Sequence, residues 1–195
     1  MREIVYFSGK ARTSGNFDTS RLMEAGRMDV AIHTIIASFF LSHDFRKDVK
    51  LHLVFYGMPD PPKHLELQVT DELEISKKDV ANLIKKMLYK CKKDVKTEVF
   101  PKCFIEKKSF LNVVEELHEE GKNIFILDED GEDIRELENK EMKNAVFVLG
   151  DHEGFPQKEL KRLKTISKKV SVGPKIYFAS QVAVLVNNEL DRRGL

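Results

Sequence analysis

Short apolar runs alternate with amphipathic stretches along the C-terminal part of the chain. Helical patterns begin at Pro156 and at Tyr177, the second running to Asp191, and residues 128–133 (DEDGED) are typical of a turn. The apolar runs have the length and β-branched content of buried strands, and they are residues 123–128 (NIFILD), 145–150 (AVFVLG) and 168–173 (KKVSVG). Buried strands alternating with helices predict an α/β fold with a largely parallel sheet and helices on both faces.

The first 120 residues carry the same patterns less regularly. Residues 3–8 (EIVYFS) and 51–56 (LHLVFY) are predicted strands, and residues 65–69 form a shorter hairpin partner for the second. From Arg27 to His43, apolar residues recur at three- and four-residue steps, which predicts an amphipathic helix. Residues 9–20 are dense in Gly, Ser, Thr and Asp, which favours a mobile loop.

The carboxyl ends of the predicted C-terminal strands, at Leu127, Gly150 and Gly173, are where ligands bind in parallel sheets. The chain has neither GxGxxG nor GxxxxGK[ST], so the usual phosphate cradles are missing. The apolar residues beside these ends would suit a flat base such as adenine. The polar residues after Gly150 (DHE) are either a turn with a helix cap or groups close to the ligand.

Composition and charge then limit the classes of function. The 195 residues are 42% hydrophobic, enough for one domain with a full core. No apolar run reaches membrane-spanning length and no signal peptide is evident, so we expect a cytoplasmic protein. The two cysteines and the histidines share no ligand spacing, so no metal site is expected.

The basic and acidic residues are nearly balanced, 33 against 32, and a net charge of +1 does not by itself indicate a nucleic-acid-binding protein. Lysines nevertheless cluster locally, at residues 85–96 and 158–169. Each cluster is either a solvated helix face or part of a positive surface, and the sequence leaves both interpretations open.

Several segments together carry a resemblance over residues 26–190. They are GRMD with FFLSHDFRKDV, YGMPDPP, GDHEGFP, and VSVGPKIY followed by ASQVAVLVNNELD. In combination they resemble the SPOUT class of RNA methyltransferases, and most of all the archaeal tRNA pseudouridine N1-methyltransferase family, which acts on pseudouridine 54 of the T loop. The N-terminal block is the more specific part of the resemblance.

The resemblance implies one SPOUT-like domain over residues 1–195, with RNA-facing loops in residues 1–120 and a deep trefoil knot in residues 121–195. The knot would hold S-adenosyl-L-methionine, and two subunits would pair as a homodimer. The cofactor contacts carried over by position are Leu127, Gly150, Asp151, Ser171, Val172, Gly173, Pro174, Lys175, Ile176, Tyr177 and Val182.

The chemistry requires alignment of a nucleophile with a sulfonium methyl group and loss of a proton from N1 of pseudouridine. By the resemblance, Asp29 would orient or accept that proton, and Arg27 would meet phosphate or developing charge. A local Arg27–Asp29 cap at the start of the helix is the structural alternative. Asp151 and His152 are second candidates for this chemistry.

The expected partner is tRNA. Arg12, Arg21 and Arg46 lie in predicted loops and suit RNA phosphates, and His152 is a further predicted substrate contact. Two alternatives stay open: the same fold methylating another RNA nucleotide, such as an rRNA pseudouridine or a ribose 2′-hydroxyl, or a non-catalytic dimeric RNA-binding module.

Overall fold

The structure, a computed structural model, describes residues 1–73, 75–151 and 153–195. Within them the strands are β1 Arg2–Ser8, β2 Val49–Phe55, β3 Lys63–Gln68, β4 Thr97–Phe100, β5 Cys103–Glu106, β6 Asn123–Asp133, β7 Ala145–Leu149 and β8 Ser167–Ser171. The helices are α1 Met28–Phe39, α2 Val80–Lys90, α3 Phe110–Glu119, α4 Asn139–Met142, α5 Gln157–Ile166 and α6 Ala179–Arg193, with 3-10 turns at Leu22–Ala25 and Ile134–Glu136.

All eight strands form one sheet in the order β4-β5-β3-β2-β1-β7-β6-β8. The part from β2 to β8 is parallel, and β3, β5 and β4 extend it in antiparallel fashion. The mostly parallel sheet predicted from the alternating pattern is therefore confirmed, as is the β2–β3 hairpin. Because β1 lies between β2 and β7, residues 1–120 and residues 121–195 share a single sheet.

Both faces of this sheet are covered by helices, as predicted. In β1, Ile4 and Tyr6 pack with α1, α2 and α6, whereas Val5 and Phe7 pack with α3 and α5. Successive side chains of a strand point to opposite faces, so a strand that is buried on both faces is apolar throughout. The continuous apolar runs in the sequence follow from this burial.

The predicted turn at residues 128–133 is wrong, because β6 continues to Asp133. Leu127 and Glu132 both pair with Val170 of β8, so the residues between them leave the ladder as a bulge. A Cβ on Gly131 would lie 2.5 Å from the backbone of Val170, so only glycine fits this crossing. The acidic sequence favoured a turn, but pairing with β8 keeps the end of this segment in the sheet.

The prediction of a mobile loop at residues 9–20 also needs correction. Ala11, Thr13 and Phe17 are buried, at 0%, 2% and 7% exposure. The Thr13 hydroxyl donates to the carbonyl of Gly57 at 2.7 Å, and the Gly57 amide donates to the carbonyl of Ala11 at 3.1 Å. Small polar residues made this loop look solvated, but its alternate side chains are part of the core.

Candidate functional site

A cavity of about 330 Å³ lies at the carboxyl ends of β7 and β8 and beside the bulge of β6 that follows Leu127. Its walls come from these two strand ends, from the bulge, from the loop between β8 and α6, and from the first turn of α6. The lining residues are Leu127, Asp128, Glu129, Leu149, Gly150, Asp151, Gly154, Phe155, Ser171, Val172, Gly173, Lys175, Ile176, Tyr177, Ala179 and Val182. Ten of the eleven positions carried over for the cofactor therefore surround one cavity, and Pro174 is the position outside this lining.

The loop after β8 is held closed by its own hydrogen bonds. The Ser171 hydroxyl accepts the amide of Gly173 at 3.2 Å and donates to the carbonyl of the same residue at 2.9 Å. Gly173 has a φ of 151°, and a Cβ there would lie 3.0 Å from the Tyr177 hydroxyl. A small residue with positive φ is therefore required beside the Tyr177 ring.

The inner wall of the cavity is apolar and its rim is charged. Leu149 and Val182 are buried at 2% and 8% exposure. At the rim, the Asp128 carboxylate pairs with Lys169 at 2.6 Å, and this hydrogen bond lowers the pKa of Asp128. Asp128 and Glu129 were assigned to a turn by the sequence and were missed as site residues, although carboxylates directly after the strand end at Leu127 were a usable signal.

Phe155 fixes the wall opposite the β8 loop. Its ring stacks on Phe110 of α3 with centroids 5.3 Å apart and also approaches Phe7 of β1 at 6.3 Å. A Cβ on Gly150 would lie 3.4 Å from the Phe155 ring. Phe155 of the GDHEGFP segment thus anchors the turn after β7 to the apolar cluster that β1 forms with α3 and α5.

Asp151 ties this turn to the end of β1. Its carboxylate accepts the amide of Gly9 at 2.8 Å, the hydroxyl of Ser8 at 3.2 Å and the amide of Glu153 at 2.9 Å. An ion pair between Lys10 and Glu153 spans the same junction. With three donors bound, the Asp151 carboxylate holds the two loops together. His152 lies outside the described residues.

Arg27 and Asp29 form an ion pair at the start of α1. The Arg27 guanidinium donates to both oxygens of Asp29, at 3.0 and 3.1 Å. Arg27 itself has left-handed backbone angles, φ 62° and ψ 38°, and its side chain makes no cap hydrogen bond with the helix. The local Arg27–Asp29 pairing of the structural alternative is therefore present at the start of the helix, as a bidentate ion pair without a side-chain cap hydrogen bond.

The ion pair also determines the charge of Asp29. Burial acts to raise the pKa of this carboxyl, but the hydrogen bond and the charge of Arg27 outweigh burial, and the net shift is downward. Burial first, and then the charges of Asp151 and Asp29, raise the pKa of the hydroxyl of Tyr6, a fully buried residue. Asp29 is therefore an ionised acceptor that can orient an N–H group, and a weak base.

The three predicted RNA-contacting arginines have different surroundings. Arg21 has an exposed side chain, 66%, in a 3.4 Å contact with Glu24. Arg12 is half-buried, and its Nε has no hydrogen-bond partner among the described residues. Arg46 pairs with both oxygens of Asp191, 145 residues away, at 2.7 and 2.5 Å, and its side chain is only 14% exposed. This last pairing fastens residues after α1 to the C-terminal helix.

Within the described residues no group of three or more His, Cys, Asp or Glu side chains is arranged to hold a metal ion. In the same part of the chain, no helix combines the length and apolar character needed to cross a membrane.

The family model of SAM-dependent RNA methyltransferases matches residues 1–195, and the chain belongs to this family. A tRNA (pseudouridine(54)-N(1))-methyltransferase of Methanococcoides burtonii is 37% identical over 196 residues, covering 98% of this chain and 96% of the relative. One of the same name from Pyrococcus abyssi is 34% identical over the whole of both chains.

The crystal structure of Archaeoglobus fulgidus Nep1 bound to S-adenosylhomocysteine has the same fold. It superposes with a TM-score of 0.67 at 15% identity, covering 100% of this chain and 99% of the other. At this low identity the similarity concerns the arrangement of strands and helices. The α/β fold with its mostly parallel sheet is therefore shared with this second protein.

Proposed function

We propose that this protein transfers the methyl group of S-adenosyl-L-methionine to N1 of a pseudouridine in tRNA, at position 54 of the T loop. The observation that carries the proposal is that the three predicted strand ends, at Leu127, Gly150 and Gly173, line one cavity in a chain of this family. The full-length similarity to tRNA (pseudouridine(54)-N(1))-methyltransferases supports the substrate.

The lining of the cavity fits the proposed cofactor. Its volume, about 330 Å³, is in the range of small-molecule sites. Leu149 and Val182 offer an apolar wall for adenine, and the backbone groups of residues 171–177 can read the edge of the base. The carboxylates of Asp128 and Glu129 are suited to ribose hydroxyls or to the positive charges of the cofactor.

The bound cofactor supplies an electrophilic methyl group, so the protein has to position N1 and manage its proton. Asp29 is ionised and is held by Arg27, so it can accept a hydrogen bond from N1–H and fix the orientation of the base. The Arg27 guanidinium has donors beyond those bound to Asp29 and can stabilise negative charge on the pyrimidine as the proton leaves. Arg12 and Arg21 would contact the phosphates of the same RNA.

Four further features belong to the proposal: a single domain, a trefoil knot in residues 121–195, a homodimer and a cytoplasmic location. The position of β6 between β7 and β8 is compatible with a knotted C-terminal part. Ile176, Phe178 and Val184 are apolar and 84%, 69% and 51% exposed, which favours a partner subunit over solvent at the start of α6.

Labelled S-adenosyl-L-methionine and matched tRNA transcripts test this function. One transcript carries pseudouridine at position 54 and the other uridine, and the methylated nucleoside is identified by mass spectrometry. We expect N1-methylpseudouridine in the first transcript alone. Equal labelling of both transcripts, or a methyl group on a ribose, would contradict the proposed target. Tight tRNA binding without transfer to either transcript would favour the non-catalytic binding module.

A further inference from the structure

The outward face of α2 and the turn after it is strongly basic. Residues 85–96 (KKMLYKCKKDVK) contain six lysines and one acidic residue, Asp94, in a chain whose total charge is near zero. The opposite side of α2 is the apolar stripe that packs on the sheet. Positive charge is therefore concentrated on a surface that the fold presents to solvent.

Two of the six lysines interact with other parts of the protein, and these contacts account for their positions. Lys85 donates to the carbonyl of Phe17 at 2.7 Å and lies 5.7 Å from the centre of the Phe17 ring. Lys96 pairs with Glu66 at 2.8 Å. The others lie exposed on this face.

Three of the exposed lysines are Lys86 and Lys90, four residues apart on α2, and Lys93 in the turn after it, and we call these three the lysine face. Within the described residues, none of them has a carboxylate within salt-bridge distance. Charged residues on exposed helices are commonly matched by opposite charges one turn away, so an unmatched row of lysines is informative.

A single loop connects the lysine face to the candidate active site. At one end of residues 9–20, the Gly9 amide is bound by Asp151, which lines the cavity. At the other end, Gly15 lies so close to α2 that an added Cβ would be 2.5 Å from the Tyr89 ring, and the buried Phe17 is held by Lys85. Residues 9–20 therefore join the turn that lines the cavity to the surface of α2 through direct contacts at both ends.

We propose that the lysine face, formed by α2 and the turn after it, binds the sugar–phosphate backbone of the base-paired stem beside the loop that carries the target nucleotide. The inference rests on the proposed function, since it assumes a structured RNA substrate. Four helical residues advance about 6 Å along the helix axis, so Lys86 and Lys90 present separate charges to separate phosphates. Lysine is a point charge that reads no sequence, which suits contacts that set register and orientation.

The test compares two triple variants with the same loss of charge. One removes the lysine face, Lys86→Gln with Lys90→Gln and Lys93→Gln. The control removes three exposed lysines elsewhere, Lys143→Gln with Lys158→Gln and Lys161→Gln, which lie beyond α4 and on α5, the helix that packs on the other face of the sheet. Binding to the pseudouridylated tRNA transcript is measured between about 50 and 200 mM salt.

For the lysine-face variant we expect tRNA affinity to fall at least about tenfold at the lower salt. The slope of log affinity against log salt should decrease by about 2 to 3, because each lost phosphate contact contributes somewhat less than one unit. The control should stay within about twofold of the wild type. Binding of a short single-stranded oligonucleotide with the target sequence should be equal in all three proteins, because it has no stem.

Two results would overturn the proposal: an unchanged salt slope in the lysine-face variant, or equal losses in both triple variants, which would reveal a bulk charge effect. Thermal unfolding confirms that each variant folds. The measurements use binding and not methyl transfer, so a failure of the proposed function, seen as tRNA binding by the wild type without product, is distinguishable from a failure of the docking surface.

Discussion

The carboxylate of Asp151 accepts the backbone amide of Gly9 at 2.8 Å, across 142 residues of sequence. β1 and β7 are neighbours in the parallel sheet, so their carboxyl ends meet at the same edge. One carboxylate thereby connects the turn that lines the cavity with the loop that leads to Arg27 and Asp29. The geometry of the proposed cofactor wall and of the proposed RNA-facing loop is thus coupled through this carboxylate, beside the Lys10–Glu153 ion pair at the same junction.

Replacing this carboxylate should weaken both the fold and the site. We expect Asp151→Asn to lower the free energy of unfolding by about 1–3 kcal/mol, because the amides of Gly9 and Glu153 lose a charged acceptor. Chemical denaturation measures this change, and calorimetry with S-adenosylhomocysteine measures the weaker cofactor binding. Asp130→Asn, an exposed carboxylate near the same cavity, is the control and should remain close to the wild type. Equal stability of the two variants would refute the coupling.

Asp29 should matter for turnover and not for cofactor binding. Asp29→Asn keeps the shape but removes the charge that Arg27 holds, and we expect the rate of transfer at saturating substrates to fall about 10²-fold. Cofactor affinity, measured by calorimetry, should change less than about threefold. Asp29→Glu is the matched variant that keeps the charge and moves it. A large loss of cofactor affinity in Asp29→Asn would show that the division of roles is wrong.

The same ion pair predicts the pH dependence of the rate. Because Arg27 lowers the pKa of Asp29 below its ordinary value of 3.8, this carboxyl stays ionised throughout the neutral range. Between about pH 5 and 8, the pH profile of the single-turnover rate should therefore contain no titration step that depends on Asp29. The profiles of the wild type and of Asp29→Asn should have the same shape in this range. A step in the wild-type profile within that range that is absent from the Asn variant would indicate a base with a raised pKa.

His64 should make stability fall in mild acid. Burial first, then the charge of His52, lowers the pKa of His64 to about 4 against the pull of Glu106, whose carboxylate accepts from its Nδ1 at 3.0 Å. The unfolded chain binds this proton near pH 6.5 and the folded protein near pH 4, so stability is lost as the pH falls through that window.

Denaturation at a series of pH values measures this loss, and His64→Gln is the variant that isolates it. The dependence between pH 6.5 and 4 should be shallower in the variant. Glu106, with its pKa lowered to about 2 by the hydrogen bonds from His64 and Lys108 against the effect of burial, contributes in a separate window, from 4.5 down to 2. An unchanged slope above pH 4 in His64→Gln would contradict the assignment.

Two glycines that enclose the Lys10 carbonyl should tolerate no side chain. A Cβ would lie 1.8 Å from this oxygen at Gly26 and 2.1 Å at Gly57, and Gly26 also has a φ of 71°. We expect Gly57→Ala to cost about 1–3 kcal/mol of stability and to weaken tRNA binding by displacing residues 9–20. Gly9→Ala, whose Cβ would meet nothing closer than 3.7 Å, is the control. If Gly57→Ala is as stable as the wild type, residues 9–20 accommodate the added methyl group without loss of stability, which would contradict the prediction.

Much of the fold could be predicted because strands buried on both faces leave continuous apolar runs. The apolar runs that became β6 and β7 predicted the edge of the sheet at which the cavity lies, because neighbouring parallel strands run toward the same edge. The candidate cofactor positions followed from the same rule together with the family resemblance. Asp128 and Glu129 escaped notice because a run of acidic residues reads as a turn when its partner strand is unknown.

What the sequence determined by itself was the class of fold, the edge at which ligands bind, and the family, through local patterns and short segments. The tertiary structure alone decided which charges are committed to distant partners: Arg46 to Asp191, and Asp151 to the Gly9 amide. Hydropathy patterns report burial along one segment, whereas an ion pair depends on the meeting of two side chains. That meeting is set by the packing of segments that can be more than 140 residues apart.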